Sequence, residues 1–243
     1  MAERERSGGR NPDQMRPVGI ETDFVSTADG SALISVGGTR VICTASVSDR
    51  VPGWMEGRGR GWVTAEYAML PASTGDRKAR DSSKGRPDGR SVEIQRLIGR
   101  SLRVVVDMAA LGERSVYVDC DVLEADGGTR CAAITGGYVA LHRALGGLLE
   151  AGEIERMPLL DSVAAVSVGM VEGTPMCDLD YSEDSNAEVD ANVVMTGGGG
   201  LVEVQATAEQ TPLSRTSLDR MLEMAEAGIA ELGRLQAEAT ASA

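Results

Sequence analysis

Three stretches of this sequence hold residue types that could do chemistry, and each suits a different part of one reaction. The first is DVLEADGGTRCAAITGG, residues 121–137. An alternating strand runs into Gly127-Gly128, and Thr129 and Arg130 stand where a helix opens. Free N–H groups and the dipole at a helix start favour a bound anion, and a hydroxyl and a guanidinium there add charge-assisted bonds. The same residues also suit a plain turn with a helix cap. It is not a P-loop, because no G-x-x-x-x-G-K-[ST] occurs. The second stretch, CDLDYSEDSNAEVD at 177–190, places six carboxylates in fourteen positions. Alternation predicts Asp178 and Asp180 on one face of a strand, with Glu183, Asp184, Glu188 and Asp190 in a following turn. Crowded carboxylates raise each other's pKa or recruit a divalent cation, although a solvated acidic loop has the same composition. The third stretch is cationic: Arg77, Lys78, Arg80, Lys84, Arg86 and Arg90. Such a loop can follow a phosphate backbone without reading bases, and its alternative is a solvated loop. An anion cradle, an acid or metal cluster and a track for a polymer are the parts of a phosphoryl-transfer reaction on a nucleic acid.

Charge and rare residues narrow the chemistry further. The net charge of −13 is wrong for a nucleic-acid enzyme until it is divided along the chain. Residues 1–49 carry −2, residues 50–103 carry +6 and residues 104–243 carry −17. A basic segment therefore lies inside an acidic protein. His142 is the only histidine and no G-x-S-x-G occurs, which argues against a Ser-His-Asp or Cys-His hydrolase. Proton transfer falls to carboxylates, and anion binding to arginine. Cys43, Cys120, Cys131 and Cys177 share no C-x-x-C spacing. They read as reduced core thiols, not zinc ligands. No apolar run reaches the roughly 18 residues of a membrane span. With no apolar stretch in MAERERSGGRNPDQ, a cytoplasmic protein is expected.

The elements that must position these residues follow from periodicity. The first 15 residues are polar and expected to be a loose arm. SALISV and TRVICTASVS flank Gly37-Gly38 as a hairpin, and a further strand runs from Trp62 to Met69. Residues 72–90 lack an apolar period and read as an exposed loop. Ile94, Leu97, Ile98, Leu102 and Val105 mark a helix from about 91 to 106. On another face of it lie Arg96, Arg100 and Arg103, suited to solvent, a subunit contact or RNA, with Glu93 placed to support Arg96. A half-buried strand spans 115–123 and a helix spans 131–149. Strands are expected at 163–171, 176–180, 192–196 and 201–206, and a C-terminal helix at about 217–237. The four glycines at 197–200 have no helix after them and read as a hairpin connection. Strands in runs with three helices between them predict an α+β domain with mixed sheets.

Several long blocks in this order resemble the ribonuclease PH family. They are GWVTAEYAMLPAST (61–74), GRSVEIQRLIGRSLRVVVD (89–107), VDCDVLEADGGTRCAAITG (118–136), VAAVSVG (163–169) and CDLDYSEDSNAEVDANVVMT (177–196). The similarity runs from about Arg16 to the C-terminal helix. It implies a single α+β domain over 16–243, like ribosomal protein S5 domain 2, with mixed sheets and flanking helices. It also implies a phosphate-dependent 3′→5′ exoribonuclease that trims tRNA precursors and releases nucleoside diphosphates. Members of the family form hexameric rings built from dimers. Carried over residue by residue, phosphate binding falls on Arg90, Gly128, Thr129 and Arg130. Catalysis and metal binding, with Mg²⁺ or another divalent cation, fall on Asp178 and Asp184. RNA contact falls on Arg77 and Arg80. The N-terminal arm, His142 and the four-glycine hairpin depart from the family's pattern, none of them at a matched site.

Overall fold

In the computed structural model, residues 6–80, 83, 85, 86, 88–209 and 212–241 are described; Lys84 of the basic loop lies outside them. Two sheets organise the chain. The first contains β1 (Val18–Thr22), β2 (Gly30–Val36), β3 (Thr39–Ser48), β4 (Trp62–Met69) and β5 (Ser115–Glu124) in the order β1-β2-β3-β5-β4. Its pairs are antiparallel except β4 with β5. A parallel pair needs a long crossover, supplied here by α1 (Gly89–Val104) and the short α2 (Met108–Leu111). The second sheet has the order β7-β6-β8-β9, from β6 (Val163–Val171), β7 (Thr174–Cys177), β8 (Val189–Thr196) and β9 (Leu201–Ala208). Between the sheets runs α3 (Thr129–Glu150), and α5 (Arg215–Ala241) covers the far side of the second. The one-turn α4 (Tyr181–Asp184) lies between β7 and β8.

Burial explains the sequence patterns. On β6, Val163 and Ala165 join the core around α3, while Ala164, Val166 and Val168 face Met221, Ala225, Ile229 and Leu232 of α5. A strand covered on both faces reads as an unbroken apolar run. Helix α3 is buried almost all round, as expected of a helix between two sheets. Its Gly136 permits close approach, because a Cβ there would lie 2.7 Å from Ile34 Cγ2. All four cysteines are free and buried. Among the described residues, no helix is long and apolar enough to cross a membrane.

Three local expectations are corrected. Residues 6–15 are not loose: Arg6 is 5 % exposed, and its Nε and Nη2 donate to the Glu183 carboxylate at 2.8 Å. Polarity suggests an arm, but these polar groups find ion-pair partners far along the chain. The strand expected at 176–180 stops at Cys177, since Asp178 has φ +53° and leaves the extended region. Asp180 instead caps α4, accepting from Glu183 N while Glu183 reaches back to Asp180 N. Asp190, expected in a turn, belongs to β8.

Candidate active site

Helix α3 opens at the phosphate cradle expected from Gly-Gly-Thr-Arg. Gly127 and Gly128 both have positive φ, +76° and +67°, and no side chain caps the helix. The loop is held by Thr39, whose Oγ1 donates to Gly127 O at 2.6 Å and accepts from Asp126 N at 2.8 Å. Thr129 is buried, and its Oγ1 lies 2.9 Å from Tyr67 Oη. The Arg130 guanidinium is steadied by Gln205 Oε1 at 2.6 Å and lies 3.7 Å from Glu93 Oε1. Spacing along the helix pairs Glu93 with Arg96; the fold turns it towards Arg130.

Arg90 stands in the first turn of α1, where Asp88 caps the helix by accepting from Arg90 N. Its guanidinium and that of Arg130 act on the same two groups: both favour ionisation of the Tyr67 hydroxyl and of the Asp190 carboxyl. Burial outweighs them at Tyr67, whose pKa is raised. At Asp190 burial, the negative charge of Asp184 and a hydrogen bond with it push the pKa up to about 6. Arg90 of α1 and Arg130 of α3 thus both bear on Asp190 of β8.

Asp178 does not belong to that pair. Its Oδ2 accepts from Arg16 N and Nε, both at 2.8 Å, and its Oδ1 from Arg16 Nη2 at 2.7 Å. With the carboxylate filled by these bonds and 3 % exposed, it is a partner of Arg16 and not an open metal ligand. This corrects the expectation that Asp178 and Asp184 act together; the side chain beside Asp184 is Asp190. Its signal is present in VDANVV, where Val189, Ala191 and Val193 alternate with Asp190 and Asn192. Arg16 carries no such signal, since its partner lies 162 residues away.

Arg77 and Arg80 lie exposed on the loop after β4, and Arg80 acts on Asp121 of the first sheet. The loop is tied back at Lys78, 3.7 Å from Asp88 Oδ2. On α1, Arg96, Arg100 and Arg103 line a separate cleft of about 290 Å³ with Thr64 and Gln95. There Arg100 pairs with Glu203, and Arg103 lies 4.5 Å from the Trp62 ring centroid. Among the described residues, no group of three or more His, Cys, Asp or Glu could hold a metal ion. Two carboxylates are what remains for one, which Mg²⁺ accepts when water and phosphate complete its shell.

The family described as "3′ exoribonuclease family, domain 1" matches residues 14–145, and its domain 2 matches residues 161–228. A protein of Roseobacter denitrificans named ribonuclease PH is 56 % identical over 236 residues, covering 97 % of this chain and all of that one. Among solved structures, rice Rrp46 superposes with a TM-score of 0.76 at 19 % identity, over 96 % of this chain and 98 % of that one. A chain of the Archaeoglobus fulgidus exosome, solved with RNA bound to the active site, gives 0.80 at 23 % identity, over 94 % and 91 %. At these identities the two structures speak for the fold.

Proposed function

From the premise that this chain belongs to the 3′ exoribonuclease family and is a phosphorolytic 3′→5′ exoribonuclease, we propose that Arg90, Arg130, Thr129 and the Gly128 backbone bind its inorganic phosphate. The uncapped start of α3, with the buried Thr129 and the Gln205-steadied Arg130 at its mouth, carries this reading. Phosphate held there attacks the last internucleotide phosphorus in line, and the terminal nucleotide leaves as a diphosphate. Two guanidinia and the helix start stabilise charge on the non-bridging oxygens, and positioning supplies most of the acceleration. The departing 3′ oxygen takes its proton from a water held by Asp184, beside Asp190. Asp184 and Asp190 would hold a divalent cation such as Mg²⁺, displacing the Asp190 proton; bound, it would neutralise charge on the phosphate oxygens. One phosphate link replaces another, so the reaction also runs backwards from nucleoside diphosphates.

Arg77 and Arg80 follow the RNA backbone, and the substrate is the 3′ end of a tRNA precursor. A hexameric ring, built as a trimer of dimers, and a cytoplasmic setting complete the reading; free buried thiols suit a reducing compartment.

Incubation with a 3′-extended tRNA, with and without phosphate, tests the assignment. Nucleoside diphosphate should appear only with phosphate. Arg130→Ala should lower kcat/KM about 10²–10³-fold while leaving RNA affinity intact. Release of monophosphates in phosphate-free buffer would make water the nucleophile and end this reading.

A further inference from the structure

Arg16, 6 % exposed, touches three parts of the chain that sequence separates widely. Its Nε and Nη2 donate to the Asp178 carboxylate, and its Nη1 donates to Asp126 O. Its stem fills the space over Gly37, where a Cβ would lie 2.5 Å from Arg16 Cδ. Nη2 also lies under Gly128, 3.3 Å from where a Cβ would stand. One side chain therefore joins the β2–β3 hairpin through its stem, and the loop entering α3 and the end of β7 through its guanidinium.

Thr39 holds that loop to the start of β3 through Gly127 O and Asp126 N, but reaches no part of the acid turn. Two successive glycines with positive φ set the direction of the N–H groups at Thr129 and Arg130. The acid turn abuts the same loop: a Cβ on Gly127 would lie 2.6 Å from Leu179 O, and Tyr181 N donates to Asp126 Oδ1 at 3.3 Å. Asp178 begins the turn, Asp180 caps α4, and Asp184 ends it. Through its bonds to Asp126 and Asp178, Arg16 ties the loop and the turn to each other from beneath.

We propose that Arg16, with Asp178 as its fixed partner, is a positioning residue for phosphorolysis that holds the Gly127–Thr129 loop in register with the acid turn. It touches no substrate. Its effect passes through the phosphate-binding N–H groups and Asp184, so the proposal rests on the phosphate site described above. A displacement of about 1 Å between the two would cost phosphate affinity before it unfolded the domain. A planar fork suits this place, because Nε and Nη2 present parallel N–H groups to both carboxylate oxygens while Nη1 reaches the Asp126 carbonyl, a spread that one ammonium point charge does not match.

Arg16→Lys and Asp178→Asn, assayed for phosphorolysis of a 3′-extended RNA, test this. Each should raise KM for inorganic phosphate about 10-fold or more, with Kd for RNA in phosphate-free buffer changed less than about 3-fold. The double variant should be no worse than the poorer single one, since both remove one interaction. A lower Tm with phosphate KM and kcat unchanged would make the pair structural only and overturn the proposal. Should the variants fail to fold, hydrogen exchange on the wild-type protein decides: added phosphate should protect residues 12–18 together with 126–130, and protection of 126–130 alone refutes it. Arg130→Ala run alongside separates the two ideas. If it keeps its phosphate response the site reading fails, whereas a loss there with Arg16→Lys unaffected sinks only the positioning role.

Discussion

Burial and the adjacent Asp184 keep a proton on Asp190 up to about pH 6, although Arg90 and Arg130 both pull the other way. A carboxyl with a raised pKa is protonated more readily in the folded chain than in the unfolded one. Its contribution to stability is therefore present at low pH and lost as pH rises from the ordinary aspartate value through about 6. Activity should run in the opposite direction, rising through the same window as the Asp184–Asp190 pair sheds its proton and can hold a cation. Asp190→Asn should remove this limb of the pH–rate profile and abolish most turnover. In metal-free buffer at pH 8 it should also stabilise the fold by about 1–2 kcal/mol, after discounting for partial exposure. Thermal unfolding of both proteins at pH 4.5 and pH 8 measures this, the gain being larger at the higher pH.

At the scale of elements, the approach of α3 to the acid turn decides whether the site exists. Gly127 adopts φ +76° with its α-carbon turned towards Leu179, Asp180 and Tyr181 backbone atoms. Gly127→Ala places a methyl group 2.6 Å from Leu179 O and adds about 1–2 kcal/mol of left-handed strain. Backbone cannot swing aside as a side chain can, so the loop must move off the turn. The expected result is a Tm lower by several degrees and a weaker phosphate KM. At exposed Gly147, where a Cβ meets nothing within 4 Å, the same change should leave phosphate KM unaltered. The crossover helix α1 matters similarly: its buried Ile94, Leu97, Ile98 and Leu102 anchor the first turn that carries Arg90.

Over the whole molecule, the −13 charge is segregated, and the +6 segment at 50–103 supplies the exposed loop arginines as well as Arg90. An acidic protein can bind a polyanion if its cations are gathered where the polymer runs. Replacing Arg77 and Arg80 together by alanine should weaken RNA binding at all sequences alike. It should also make the plot of log K against log salt shallower by about 1.4, two single-strand phosphate contacts at ~0.7 each. Binding titrations between 50 and 200 mM salt would show it, and an unchanged slope would remove these arginines from the RNA path.

Much of this protein is legible in its residues alone. Two-residue and 3.6-residue periods place β3, β4, β5, β6, α1 and α5 within a few positions, because each buries a face that water would otherwise meet. The α+β class follows from their order. The turn at Gly127-Gly128 and the helix start at Thr129 are legible too, whereas a phosphate role for Arg90, Thr129 and Arg130 is what the family resemblance implies. What the residues by themselves leave open is which charges meet. Alternation makes Asp178 and Asp180 look like strand neighbours of one cluster, while polarity makes Arg6 look like part of a loose arm and gives Arg16 no partner. Tertiary structure reverses both: Arg16 crosses 162 positions to take Asp178, Arg6 crosses 177 to take Glu183, and Asp190 is left facing Asp184. Ion pairs depend on distance in space and carry no period along the chain, so only the folded backbone selects them.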